Sequence, residues 1–336
     1  MGKRRIRNLQ ELKINDIVGY DINQERCKEA KELYKIEIAE NLDIVLDEKL
    51  DGIIISTPPD KHKEHASIAI EREIPFFTEV NTMNPDDMQD IINLCKKNNV
   101  KGMPSCNIIF HPSVIKIKEK IEQNKIGEIL TFNYHSGTYL PDWHPWEKLS
   151  DYYVFKKETG GGRDQIMWEF PWIYQILGKP CNISAFTKKK GKFEADIFDV
   201  YDLLIEFKNG VIGHIMVDVI QRPQSRFCEI IGTSGTIRWE YDNKKVTVYD
   251  AENKTWENYP ESEDYQGFTE EVPKPGFSIK DKGLGESYID EMKCFLKMIK
   301  EEEDPSFTLE DEKILLKTMY LAEKSSKDGI HLKIES

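Results

Sequence analysis

The sequence predicts an α/β domain followed by an α+β domain: a doubly wound parallel sheet, then an open antiparallel sheet with helices on one face. Three observations carry this. The chain has 336 residues, about two domains at ~150 residues each. Between Asp16 and about Leu130 short, continuous apolar runs alternate with amphipathic stretches, the pattern of strands buried on both faces and joined by helices. Beyond Leu130 the runs lengthen, alternate in polarity and are joined by tight-turn pairs.

In chain order, GKRRIRNLQEL reads as a helix, because Ile6, Leu9 and Leu12 fall at rough helical spacing. IVGY (17–20), GIIIS (52–56) and PFFTEV (75–80) are strand-sized, and each precedes a helical stretch: ERCKEAKELYKI, HKEHASIAIE and DDMQDIINLCKKN. TFNYHSG, the long run ADIFDVYDLLIEFKNGVIGHIMVDVI, FCEIIGTSGTIRWEY and KKVTVYD read as antiparallel strands, with hairpin turns at Asn209-Gly210 and Ser234-Gly235. Lys188, Lys189, Lys190 and Lys192 read as a solvated turn. The charged segment from Glu252 to Lys282 reads as a long loop, and YIDEMKCFLKMIK and LEDEKILLKTMYLAEKSS as closing helices ending near Gly329. The expected division is residues 1–125 and 126–336.

Composition removes several function classes. Hydrophobic residues at 39% and charged residues at 32% suit a packed globular chain. A formal charge of −13 opposes nucleic acid and anionic membrane surfaces. No apolar run approaches the ~20 residues that span a bilayer, and MGKRRIRNLQ leads into polar residues instead of an export signal, with Ile6 where a myristoylation signal wants Ser or Thr. Six scattered cysteines lack a C-x-x-C pair, which points to reduced thiols in a cytoplasmic protein, and no His and carboxylate cluster has metal-ligand spacing.

Asp21 stands at the end of the IVGYD strand, about 19 residues after Gly2, where a Rossmann fold places the acid that accepts from an adenosine ribose hydroxyl. The next strand ends in Ser56-Thr57-Pro58-Pro59-Asp60-Lys61-His62, the following one in Thr78-Glu79-Val80-Asn81, and Gly160-Gly161-Gly162 comes later. With these motifs, and NKIGEIL (124–130), NGVIG (209–213) and IIGTSGTIRW (230–239), the chain resembles the Gfo/Idh/MocA family nearly end to end. The resemblance implies an N-terminal Rossmann domain for NAD(P), a C-terminal domain with an open antiparallel sheet, and oxidation or reduction of a sugar, nucleotide sugar or sugar acid. It implies a cofactor held by Gly2, Lys3 and Arg4 at the first helix, by Asp21, by Ser56, Thr57, Pro58, Pro59 and His62, and by Glu79 and Asn81. Since Asp21 would repel a 2′-phosphate, NAD is expected over NADP. A homodimer or homotetramer through the C-terminal sheet is expected, with no nucleic-acid or membrane partner.

Four positions depart from the family pattern. Met1-Gly2 supplies only the last glycine of G-x-G-x-x-G, so the Rossmann sheet is expected to lack its first, central strand, and the native start is expected about 10 residues upstream. Glu79-Val80-Asn81 replaces Glu-Lys-Pro, Ile166 and Phe170 occupy the usual Asp and His positions, and Ile109 stands where an arginine is common. Substitute chemistry is expected from three residues. Arg163 shares a helical arc with Ile166, Phe170, Ile173 and Leu177, with Glu169 at its flank, although Pro171 must kink or begin that helix. His144, in Pro141-Asp142-Trp143-His144-Pro145-Trp146, offers an imidazole beside two tryptophans suited either to stacking on a sugar or to loop packing. His144 is the expected proton acceptor, Glu169 the second choice, and Arg163 the expected fork for a substrate carboxylate or phosphate, or else the partner of a nearby carboxylate. The sequence thus supports an NAD-dependent sugar oxidoreductase, with a catalytically impaired binding or partner protein as the other reading.

Overall fold

The computed structural model describes residues 1–47, 49–143, 148, 150, 153–261 and 285–335. Its first part alternates helices α1 (Gly2–Glu11), α2 (Gln24–Tyr34), α3 (Leu42–Asp47), α4 (His62–Glu71) and α5 (Pro85–Asn98) with strands β1 (Val18–Gly19), β2 (Glu37–Ile38), β3 (Ile53–Ile55), β4 (Phe76–Thr78) and β5 (Gly102–Pro104). Local signals set the boundaries. The Asn23 side chain accepts from the Glu25 and Arg26 amides to start α2, and Asn84 with Pro85 starts α5.

All ladders among these strands are parallel, but they form two sheets, β2-β1 and β3-β4-β5, with no ladder between β1 and β3 among the described residues. This is the doubly wound sheet without its central strand, as expected. The consequence is a division in packing. Phe76, Phe77 and Met103 of the three-stranded sheet belong to the main core, whereas Ala30, Tyr34 and Ile36 form a small separate cluster with Ile6, Ile17 and Ile38. Helix α1 bridges the halves: Arg7 donates to the Tyr34 hydroxyl at 3.0 Å and Gln10 to the Tyr34 carbonyl at 2.7 Å.

Helix α6 (Pro112–Glu122) leads to the second sheet. Its elements are β6 (Ile129–Tyr139), α7 (Leu140–Trp143), α8 (Gly162–Leu177), β7 (Pro180–Lys188), β8 (Val200–Phe207), β9 (Ile212–Asp218), β10 (Ile220–Gly232), β11 (Gly235–Glu240), β12 (Lys245–Asp250), β13 (Thr255–Pro260), α9 (Glu286–Ile299), α10 (Leu309–Asp328) and β14 (Leu332–Lys333). Nine strands run in the order β13-β12-β11-β10-β6-β9-β8-β7-β14. Every pairing is antiparallel except β6 with β9, so the sheet is mixed, not wholly antiparallel. On its covered face Trp172 of α8 packs edge-on against Phe132, Tyr134 and Trp239, at centroid distances of 5.6, 5.1 and 5.9 Å. The other face exposes Phe186, Leu204, Ile212 and Ile231.

One expectation needs correction and one open alternative is decided. The charged segment after Glu252 is not all loop: Thr255–Pro260 pairs with β12, and Trp256 packs on its cross-strand partner Tyr249 at 5.2 Å, so aromatic pairing overrides the polar composition. Helix α8 begins at Gly162, so Pro171 lies inside it and does not start it. The last helix has a full capping box, with Thr308 and Asp311 bonding each other's amides, and Gly329 closes it at a φ of 67°.

Candidate functional site

The first cluster of expected residues surrounds the N-terminus of α1. A Cβ added at Gly2 would sit 3.8 Å from the Ser56 Cβ, so the helix start lies against the turn after β3 with little room to spare. No side chain caps α1 and no acid stands in its first turn, which leaves its first amides and Arg4 to make an electropositive end. Lys3 pairs with Glu29 of α2, and the Arg4 guanidinium lies 4.3 Å from the Tyr288 ring centre. Asp21 follows β1, half-buried, one carboxylate oxygen accepting from the Asn23 amide at 2.8 Å. In the turn after β3 the Thr57 hydroxyl is buried and has no partner among the described residues. Pro59 opens a single 3₁₀ turn to Lys61 that hands the chain to α4.

A dinucleotide fits this donor set. The helix amides favour a pyrophosphate, Asp21 a ribose hydroxyl, and the orphaned Thr57 hydroxyl a further polar atom, since a buried hydroxyl without a partner costs free energy that a bound group would recover.

Beneath this end Arg5 is buried between two carboxylates. Its Nε and Nη2 donate to Glu79 at 2.6 and 2.7 Å, and Nη1 donates to Glu291 of α9 at 2.5 Å. Glu291 also accepts from the Cys106 amide at 2.5 Å and the Ser105 hydroxyl at 3.0 Å. Burial pushes the Glu291 carboxyl up while Arg5 opposes it. Glu79, expected at the cofactor, therefore spends both oxygens on Arg5, with the Ser56 hydroxyl donating at 3.3 Å. Val80, in the family's lysine position, packs against the core. Asn81 is wholly buried between His62 and Glu312 of α10.

The glycine run at 160–162 sets the other wall. A Cβ at Gly160 would meet the Val154 carbonyl at 1.9 Å, and Gly161 has a φ of 65°, so only glycine lets the chain pass and turn into α8. Two residues later Asp164 emerges half-buried. Burial pushes its carboxyl up to about 7, donation from the Tyr153 hydroxyl at 3.4 Å opposes this, and the Glu79 charge adds to it. One turn on, the half-buried Trp168 donates its indole N–H to Asn107 at 2.8 Å. Asp164 and Trp168 lie on the side of α8 opposite the arc of Ile166, Phe170, Ile173 and Leu177, which is sunk in the main core.

This placement corrects two assignments. Glu169 is wholly buried and accepts from Tyr134 (2.6 Å), Ser136 (2.7 Å), Gln165 (3.0 Å) and Arg226 (2.9 Å), leaving no lone pair facing a cleft for a substrate proton. Arg163 puts Nη2 on both Glu323 oxygens at 2.7 Å, Nε on one of them at 3.0 Å, and Nη1 on the Glu158 carbonyl at 3.0 Å, so its fork is engaged within the protein. His144 and Trp146 lie outside the described residues. Trp143 donates to Thr138 at 3.1 Å and packs with Leu140 and Val154. Asp164 escaped sequence reasoning because the helical wheel was centred on the apolar arc. Its signal was an acid two residues past a glycine triplet and one turn before a tryptophan.

Comparisons with known proteins agree with the architecture. Residues 1–105 match the oxidoreductase family with an NAD-binding Rossmann fold, and residues 114–238 match the GFO/IDH/MocA C-terminal domain. An uncharacterized oxidoreductase of Streptococcus pneumoniae serotype 4 is 24% identical over 218 residues, 63% of this chain and 58% of that protein. Myo-inositol 2-dehydrogenase of Thermotoga maritima is 23% identical over 336 residues, 96% of this chain and 92% of that one. Among solved structures, levoglucosan dehydrogenase in complex with NADH superposes with a TM-score of 0.85 at 19% identity, covering 100% of this chain and 96% of the other. The chain thus spans somewhat over half the length of the first of these relatives and nearly all of the second.

Proposed function

Because the chain belongs to the Gfo/Idh/MocA family of oxidoreductases, we propose that it oxidises or reduces a sugar or sugar derivative with NAD, residues 1–125 holding the cofactor and 126–336 the substrate. The observation that carries this reading is Asp164: a half-buried carboxyl pushed up to about 7, within the field of Glu79 at the end of β4. Asp21 and Thr57 would hold NAD, which when bound would supply the carbon that accepts or returns hydride. The protein's share is the proton. Asp164, ionised above about pH 7, accepts the proton of the substrate hydroxyl as the C–H bond breaks, and in the reverse direction donates it to the carbonyl oxygen. Trp168, tied to Asn107, offers an aromatic face for the sugar ring.

The fully engaged Glu169 and Arg163 shape the wall without touching substrate. Asp21 favours NAD over NADP, as its charge opposes a 2′-phosphate. Copies pair through the open sheet face of Phe186, Leu204, Ile212 and Ile231, four large apolar side chains that a monomer would leave in water. No helix among the described residues is long and apolar enough to cross a membrane, and all six cysteines are unpaired, which suits a reducing cytoplasm.

Val80 in place of the family's lysine favours a second reading, a binding or partner protein of the same fold. Calorimetry with NADH and NADPH, together with turnover against sugars, sugar acids and nucleotide sugars, separates the two. Turnover abolished in Asp164→Asn supports the enzyme; NADH binding without turnover on any substrate moves the binding protein ahead.

A further inference from the structure

Glu312 is 2% exposed, and it meets Asn81, 231 residues away in the chain, in a buried polar chain that ends at the nucleotide loop. His62 Nε2 lies 2.9 Å from the Thr57 carbonyl oxygen, in the Ser56 to Pro59 turn. His62 Nδ1 lies 2.6 Å from one terminal atom of the Asn81 amide. The other terminal atom of that amide lies 3.0 Å from Thr78 Oγ1 and 2.8 Å from Glu312 Oε2. His62 and Asn81 have no exposed surface and Thr78 has 2%, so these groups are sealed from water.

Proton accounting decides what each atom is. A carbonyl only accepts, so the proton on that bond is on His62 Nε2. If the amide oxygen faces His62, then Nδ1 must also carry a proton, giving a buried imidazolium beside a buried carboxylate one amide away. The oxygen and nitrogen of an amide are exchanged by a half-turn of the side chain. With the nitrogen toward His62, the amide N–H donates to a neutral Nδ1. Its oxygen then accepts from the Thr78 hydroxyl and requires a donor at Glu312, which only the protonated acid provides. The second arrangement has no charges to desolvate, and in a site sealed from water that difference dominates.

We propose that Glu312 is a positioning residue for the nucleotide loop: a neutral carboxylic acid whose O–H, through the Asn81 amide, holds His62 in its Nε2–H tautomer on the Thr57 carbonyl. The proposal rests on the reading of Ser56 to Pro59 as part of the cofactor site. Burial drives the two ends in the matching directions, lowering His62 and pushing Glu312 up to about 8, while the hydrogen bonds from the Asn81 side chain and then its backbone amide work against the latter. Glu79 and His65 act on His62, and Cys106, a buried thiol pushed well above its ordinary range, faces Glu312 from the end of β5. The nearby charges across α10 are paired elsewhere: Lys96 with Glu310 and Arg163 with Glu323. Ionising Glu312 removes the donor that the Asn81 oxygen needs, and the loop carrying Thr57 loses its anchor to the last helix.

The test uses Glu312→Gln, whose amide donates and accepts where the neutral acid does and cannot ionise. In the unliganded full-length protein, infrared difference spectra of wild type minus Glu312→Gln at pH 6.5 should show a protonated-carboxyl C=O band that disappears above about pH 8. Nitrogen NMR should report neutral His62 protonated at Nε2. NADH affinity of the wild type should fall about tenfold between pH 7 and 9, while that of Glu312→Gln stays flat. Absence of the carboxyl band, an imidazolium at His62, or equal pH dependence in both proteins overturns the proposal. Failure of NADH to bind at any pH, with the band and tautomer present, instead refutes the cofactor reading and leaves the proton assignment standing.

Discussion

Replacing Asp164 with asparagine should destroy turnover and stabilise the fold, and both effects come from the same burial. A carboxyl moved from its ordinary 3.8 to about 7 resists ionisation in the folded protein while the unfolded chain ionises freely. At ~1.4 kcal/mol per pH unit this amounts to about 4 kcal/mol at and above neutrality. The sign follows from proton counting. Between about pH 4 and pH 7 the folded state holds a proton that the unfolded state has released, so stability falls as pH rises through that window and levels off above it. Asparagine keeps the shape and removes the titration. Asp164→Asn should therefore equal wild type near pH 4 and exceed it by up to about 4 kcal/mol by pH 7.5, read as a widening gap between urea denaturation curves.

The same substitution should lower kcat for alcohol oxidation by ~10² to 10⁴ and erase the rise in wild-type rate toward a plateau above about pH 7. NADH affinity should be unaffected. Loss of activity with gain of stability marks a residue held in an unfavourable state for its chemistry. A stability gap that does not change with pH, or a variant that keeps its rate, would refute the assignment of Asp164.

Three further outcomes follow from the geometry. Arg5→Leu leaves Glu79 and Glu291 buried without their cation, and unfolding free energy from denaturant titration at pH 7 should drop by about 3 to 5 kcal/mol; a loss under ~1 kcal/mol would show the pair to be solvated. Asp21→Ser removes the charge opposing a 2′-phosphate, so NADPH should bind at least ~10-fold more tightly, a gain on the order of 1.4 kcal/mol, with NADH weakened in the same calorimetric series; unchanged preference would detach Asp21 from the ribose. The unit of β1, α2 and β2 has its own small cluster and only two strands, so amides of residues 17–39 should exchange hydrogen well before those of β3, β4 and β5; equal protection would mean that the two parallel sheets open as one.

How much could be read from the sequence depended on whether a property was local. The alternation of IVGY, GIIIS and PFFTEV with amphipathic stretches gave the parallel strands and their helices, because a strand buried on both faces must be apolar throughout. The separation of β1 from β3 was legible from the family resemblance, in which Met1-Gly2 supplies only the last glycine of the turn that follows the central strand. The strand Thr255–Pro260 was hidden, as its partner β12 and its tryptophan contact come from tertiary pairing that a charged composition masks.

The site was hidden for a different reason. A helical wheel finds the face that turns to the core, and on α8 that face holds Ile166, Phe170, Ile173 and Leu177. Choosing charged residues at the edge of that arc selected Arg163 and Glu169, which the fold had to neutralise because they were being buried, by Glu323 in one case and by Arg226 with three neutral donors in the other. A residue that does chemistry must be reachable by substrate yet shielded enough to change its proton affinity, which places it on the flank facing away from the core, where Asp164 stands. Sequence separation compounds the difficulty. The partners of Arg5 and Asn81 that close the polar core lie 286 and 231 residues downstream, on the last two helices. No local pattern announces such pairs; they become visible only when the fold brings each buried charge or amide to its partner.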